Sequence, residues 1–426
     1  MGREDEQARR AGPAAMLGVA VYLAYFDRSM PSAGAALLKR ELAVGDARLG
    51  FAVATAAALA YALVAAGAAL TGGRHADRWH RHAMPVGMAV WTAGAAALAF
   101  AATWRSFVAA ELLVGAGQAL FVPGAAARLA NMAKGERLGR ASARFTLAST
   151  AGRSSAVLIA GAIIAAITGW GMALPGLPAD WRALFLLTAI PNLLVLAALM
   201  RRHAGDAATT EATETAPDEA AAPGWAAYAG CFATATAPIV VIHSIGVWYP
   251  VLLVRVAGLE PARAAMLAGM ATLICATFGQ WLGGRLLDRR RGWRDRPVRI
   301  NAPAIAVAGG LVAAFATAGT GAAIVVLVIA DVALGVATVA GLTAVQAITS
   351  PGARRRGNSL FFALVTLVGV GLGPLLTGVL SDGGGASGAA LAHGIGWIAV
   401  AALLLAIAGD LLGRDAMRYR AAGGAA

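Results

Sequence analysis

Apolar runs of about 19 or more residues, almost free of charge, recur from one end of the chain to the other, and no other feature narrows the possible folds as much. A helix of about 20 apolar residues, rising about 1.5 Å each, crosses the hydrocarbon layer of a bilayer and satisfies its own backbone hydrogen bonds while doing so. The spacing predicts twelve spans: 14–37, 48–71, 84–103, 106–129, 141–168, 182–200, 226–254, 262–283, 299–318, 322–348, 358–380 and 388–412. With 13% charged and 59% hydrophobic residues, the chain lacks the polar surface that a soluble helical protein of 426 residues needs. It reads as an all-α polytopic membrane protein.

The net charge of +13 suggests nucleic acid only until the charges are placed. Most of the 35 lysines and arginines fall in loops on the side of the N-terminus, in clusters such as Arg74, Arg78, Arg81 and Arg285, Arg289, Arg290, Arg291. The opposite loops hold only Lys39, Arg40, Arg48, Arg105, Arg182, Arg255 and Arg263. That asymmetry puts both termini in the cytoplasm, fits a bacterial-type inner membrane and makes nucleic acid an unexpected partner. The arginines between Arg285 and Arg299 suit contacts with anionic lipid. Cys231 and Cys275 sit in separate apolar spans and read as packing residues, and no cleavable leader is evident.

Two ionised residues, Asp27 and Arg28, lie in the first span with about 12 uncharged residues on either side, near the middle of the bilayer. A charge there costs on the order of 3 kcal/mol, so such a pair faces protein or water and is a functional candidate. It reads either as an anion-binding arginine beside a proton-carrying carboxylate or as an ion pair that ties helices together. Adjacent helix positions point about 100° apart, so one side chain can face a cavity while the other faces a neighbouring helix.

Residues 203–224 are polar, acidic and without periodicity, and read as a flexible linker. They divide the chain into a cytoplasmic N-terminus at 1–13, halves at 14–202 and 225–412, and a cytoplasmic tail at 413–426. After its second span the first half carries Gly72-Gly73-Arg74-His75-Ala76-Asp77-Arg78-Trp79-His80-Arg81, and the second carries Gly283-Gly284-Arg285-Leu286-Leu287-Asp288-Arg289-Arg290-Arg291. The same punctuation at the same place is an internal repeat.

This loop, with twelve spans, a duplication and a central linker, resembles the signature of the major facilitator superfamily. Within it the chain is most similar to the spinster-like transporters and the anion:cation symporters, through Tyr25-Phe26-Asp27-Arg28, Asp46-Ala47-Arg48-Leu49-Gly50, Gly115-Ala116-Gly117-Gln118, Asp180-Trp181-Arg182 and Gly371-Leu372-Gly373-Pro374 with Gly378 through Asp382. The resemblance implies two six-helix bundles that move a small organic solute, an organic anion first, by alternating access with protons as a possible partner. It implies a monomer with lipid as its other contact, and neither cofactor nor enzymatic activity. The runner-up is export of amphipathic, cationic or lysolipid-like solutes, and a non-transporting sensor is remote. Gly152-Arg153-Ser154 stands where drug:proton antiporters carry Gly-Pro, which disfavours a multidrug role.

The candidate substrate contacts are Arg28, Arg153, Gln118 and Tyr25, and the candidate proton carriers are Asp27 and Asp331. Glu111 and Gln118 share one face of the fourth span. The related families carry arginine at the first of these positions and a protonatable glutamate at the second, so the resemblance implies fewer coupled protons here, or none through this helix. Arg153 either replaces the missing cation, snorkels to an interface or pairs with Glu111. Asp331 is a proton site or a hydrogen-bonded plug, and His243 an interhelical bond or a titrating group. Trp248 and Tyr249 fit the outer aromatic belt or the lining of the vestibule. Gly73, Asp77, Arg78, Arg81 and Asp288 form the expected cytoplasmic gate, with Asp77 meeting the N-terminus of the eleventh helix. His75, His80 and His82 lack the cysteines or paired acids of a metal site.

Overall fold

Where no water can reach the backbone, a continuous helix is the one local solution open to each apolar run, and helices account for nearly all of the structure. The computed structural model describes residues 3–70, 74–132, 138–170, 182–206, 225–289, 296–315, 322–348 and 354–423. Among them are twelve long helical stretches: α1 (Arg3–Ala33), α2 (46–70), α3 (Arg74–Leu98), α4 (Trp104–Met132), α5 (Leu138–Trp170), α6 (Arg182–Asp206), α7 (Trp225–Ala257), α8 (261–289), α9 (Val298–Phe315), α10 (Ala322–Ile348), α11 (354–383) and α12 (Gly388–Gly423). A short helix, Ala35–Leu42, follows α1 after a break at Gly34. Ten of the twelve have the length and hydropathy of a membrane span. The other two are α1, which carries Asp27 and Arg28, and α3, which opens on a run of arginines and histidines.

Helix ends depart from the expected spans by several residues. The first helix begins at Arg3, the sixth runs to Asp206 into the expected linker, and the twelfth continues to Gly423. Residues 207–224 lie outside the described residues.

Within the first half α1 packs on α5, and α4 packs on α2 and α3; in the second, α12 packs on α7 and α9, and α10 on α8 and α9. Lipid tails are as apolar as leucine, so helices associate where small residues let backbones approach. Gly87 and Gly117 show this: a Cβ on Gly87 would lie 2.6 Å from the Gly117 carbonyl oxygen, and one on Gly117 would lie 2.5 Å from that of Gly87. Large apolar side chains such as Leu63, Leu194, Trp397 and Leu404 point outward, as a lipid-facing surface requires.

Three helices cross the centre with locally widened π-helical turns: Phe51–Thr55 in α2, Thr272–Ala276 in α8 and Val365–Leu372 in α11. Such turns re-aim side chains and backbone carbonyls and recur at functional sites. Here the turns of α2 and α11 meet across the halves, where Thr55 Oγ1 donates to the Gly371 carbonyl at 2.8 Å. The halves also touch along α5 and α8 and between α2 and α11.

Candidate functional site

Between the halves lies a cavity with about 70 Å³ of room for the centres of water-sized molecules. Tyr25, Arg28, Ser29 and Arg153 line it from the first half, and His243, Tyr249, Thr272 and Asp331 from the second. The three widened turns open onto it through Val53, Ala54, Thr272, Ala276 and Val370.

The two charges of α1 part company, as their 100° offset allows. Arg28 faces the cavity. Its Nε donates to Gln118 Oε1 at 2.8 Å, and Gln118 Nε2 in turn donates to the Ala24 carbonyl at 2.7 Å. The guanidinium lies over the Tyr61 ring, 4.8 Å from its centroid, and 5.9 Å from that of Tyr25. Gln118 and the two rings therefore aim Arg28 without neutralising it, because an amide carries no charge. Its Nη2 has no partner, nor has Nε of Arg153.

Asp27 points the other way, into the first bundle, and is 4% exposed. Trp91 Nε1 donates to Oδ2 at 2.7 Å and Asn192 Nδ2 to the same oxygen at 2.6 Å, while Oδ1 has no partner. Sequence reasoning named neither Trp91 nor Asn192. Glu111 is also buried in the first bundle, off the cavity wall, and its Oε1 is unpartnered. Among the described residues no ion pair joins it to Arg153.

In the second half Asp331 reaches the cavity from α10, with Thr272 Oγ1 donating to Oδ2 at 2.8 Å. His243 lines the same space, its Nδ1 lying 3.0 Å from the Ile239 carbonyl, so that nitrogen carries the proton. Trp248 and Tyr249 are buried and not part of a lipid-facing belt; the indole of Trp248 donates to the Pro374 carbonyl at 2.8 Å. Of the expected gate, Gly73 and the side chains of Asp77, Arg78, Arg81 and Asp288 lie outside the described residues.

The end of the molecule away from the termini is shut. Asp46 at the start of α2 is held by Arg255 of α7, whose Nη1 and Nη2 donate at 2.8 and 2.7 Å, and by Ser381 of α11 at 2.7 Å. Toward the other end, Phe145 of α5 and Phe362 of α11 pack with ring centroids 6.1 Å apart.

Comparison with known proteins agrees with this geometry. No curated protein matches the sequence significantly. The fold is similar to that of a bacterial homologue of the human lysosomal transporter Spinster, in an inward-facing and occupied conformation, at 21% identity over 96% of this chain and 97% of that one, TM-score 0.73. It is similar to the tetrameric PepTSo2 at 15% identity over 96% and 99%, TM-score 0.66, and to a mutant of the nucleoside transporter NupG at 13% over 94% and 99%, TM-score 0.64. The model of the Major Facilitator Superfamily matches residues 17–370, and with two bundles around a shared cavity the chain belongs to that superfamily.

Proposed function

We propose that the protein is a secondary active transporter that carries small organic anions across a bacterial-type inner membrane by alternating access, with its termini in the cytoplasm. One observation carries the substrate class. Two guanidinium groups, Arg28 and Arg153, line a cavity shared by both halves, each with one buried donor unpartnered, and Arg28 is positioned by a neutral amide in place of a carboxylate. A planar guanidinium with free donors matches a carboxylate or phosphate, and in a low-dielectric cavity that pairing strengthens. Tyr25 and Tyr61 flank the group and set its plane.

Asp27 and Asp331 are the candidate proton carriers, one behind the cavity wall and one on it. A second reading, for amphipathic or cationic solutes, is favoured by Asp331 and by an apolar pocket lined by Met270, Ile274 and Ile324 that shares Tyr249 and Leu327 with the central cavity.

Uptake of labelled organic anions, cations and lysolipids into proteoliposomes separates these readings. Anion uptake that falls at least tenfold in Arg28→Ala supports the first, since one charge-assisted hydrogen-bonded contact supplies about 1.5–3 kcal/mol. Anion uptake that survives in both Arg28→Ala and Arg153→Ala refutes it.

A further inference from the structure

The closed end carries a second carboxylate with an unusual job. Helix α2 begins at Asp46, and its N-cap is Gly45, which has no side chain to accept the first backbone N–H groups. Serine, threonine, aspartate and asparagine are the ordinary residues there. The missing cap comes from the other half of the protein. Asp382, in the last turn of α11, accepts the N–H of Asp46 on Oδ1 and that of Ala47 on Oδ2, both at 2.8 Å.

For its own helix Asp382 is badly placed, since a negative charge at a helix C-terminus opposes the macrodipole. At the N-terminus of α2 the same charge is favourable, and both of its oxygens are used there. Gly45 is also required by this arrangement, because a Cβ on it would lie 2.9 Å from Asp382 Oδ2. A residue able to cap α2 from its own chain would therefore displace the cap supplied by the other half.

The exchange is reciprocal. The first half gives the carboxylate of Asp46 to Arg255 and Ser381 of the second, and Lys39 of the first half also meets it. The second half gives the carboxylate of Asp382 to the backbone of the first. Two acids and two bases make the set neutral, so its closure strands no charge.

We propose that Asp382 is a removable cap, supplied across the two halves, that holds the outer gate shut by completing a helix end which α2 leaves unfinished in its own chain. Opening the gate withdraws the cap and exposes the two N–H groups to water. This rests on the alternating-access reading, and it names residues for the outer gate that neither the superfamily signature nor the central cavity identifies.

The test uses the full-length protein in proteoliposomes, with Cys231 and Cys275 replaced by alanine and spin labels at the exposed positions Arg40 and Glu260, one in each half. Without substrate, Asp382→Ala should raise the wide-separation population on the order of tenfold, the usual effect of a lost cap, and Gly45→Ser should raise it too by displacing Asp382. The double variant Gly45→Ser/Asp382→Ala should recover the melting temperature lost in Asp382→Ala, because α2 is capped again, yet stay open. Merely structural capping predicts recovery of both stability and closure. The proposal fails if Asp382→Ala keeps the closed distance distribution, or if the double variant closes again. Anion uptake in the same vesicles separates the two readings: distances that respond while no anion moves count against the substrate reading alone, and anion uptake with unresponsive distances counts against the cap alone.

Discussion

Adding one methyl group where α5 and α8 cross between the halves should tilt the conformational equilibrium by a calculable amount. A Cβ on Gly269 would contact the Leu158 backbone nitrogen and lie 2.8 Å from its Cα, whereas ordinary contacts begin at about 3.4 Å. Gly161 is the reciprocal position, with a Cβ 2.8 Å from the Met266 nitrogen and 3.0 Å from the Ala262 carbonyl oxygen. The neighbours are backbone, so no side chain can swing away and the helices must part by roughly half an ångström or more. Overpacking of this kind costs about 1–3 kcal/mol. Both glycines lie toward the end that the Asp46 cluster closes, so the cost falls on the closed arrangement and is relieved once α5 and α8 separate there. Gly269→Ala should therefore raise the open-outward population about 5- to 150-fold. Spin-label distances between Arg40 and Glu260 read that change. Gly152→Ala is the control: its Cβ would strike the Tyr22 carbonyl oxygen and lie 3.2 Å from the Phe26 nitrogen, inside the first bundle, a contact kept in both states. It should lower the melting temperature and leave the distance distribution alone. If Gly269→Ala leaves that distribution unchanged, or Gly152→Ala shifts it equally, closure of the α5–α8 crossing is not part of the gating motion.

Two further outcomes concern the charges near the cavity. Gln118→Glu would put a carboxylate 2.8 Å from Arg28 Nε, so anion affinity measured by counterflow should fall about tenfold at alkaline pH, where the new acid is ionised and occupies the guanidinium. At acid pH, where it is protonated, affinity should recover; an unchanged affinity across that range would mean that Arg28 is not the anion contact. Asp27→Asn brings an NH₂ group into a place that already receives N–H donors from Trp91 and Asn192, and should cost about 1–3 kcal/mol of stability, seen as a lower melting temperature. The same variant should abolish uptake driven by a proton gradient but spare counterflow, and proton-driven uptake that persists would exclude Asp27 as the carrier.

The bundle was legible in the sequence because a bilayer poses a one-dimensional problem: length and hydropathy decide whether a segment crosses, and the repeated loop after the second and eighth spans marks the duplication. The 100° offset of adjacent residues left it open for Asp27 and Arg28 to face different ways, but nothing in the sequence said which of them faces the cavity. Their partners were not legible either. Trp91 and Asn192 lie 64 and 165 residues from Asp27, and no periodicity links such positions. Asp46 and Asp382, 336 residues apart, each look like a loop charge at the end of a span, and only the packing of one half on the other gives them a role. Trp248 misled for a related reason: an aromatic residue near the outer end of a span has the same local signature whether it meets lipid headgroups or the Pro374 carbonyl. The widened turns at Phe51–Thr55 and Thr272–Ala276 contain neither proline nor glycine and carry no punctuation that a reader could find.

How an anion in the cavity could be felt by Asp27 follows from what α1 is unable to do. Turning the helix by one residue would exchange the faces that hold Asp27 and Arg28, but α1 is keyed to α5. Tyr22 Oη and Ser155 Oγ lie 2.7 Å apart in hydrogen-bond contact, and the Tyr22 carbonyl fills the space a side chain at position 152 would need. Rotation would break both contacts and drag Asp27 away from Trp91 and Asn192, leaving buried donors empty at about 1–3 kcal/mol each. Direct contact between the anion and Asp27 is barred as well, since the acid is off the cavity wall. What remains is the field across the helix. That field acts without contact and, unlike a hydrogen bond, reaches from the cavity face of α1 to the face that Trp91 and Asn192 hold. If the proposed anion binds Arg28, it weakens that field, so anion and proton would favour each other without movement of the helix.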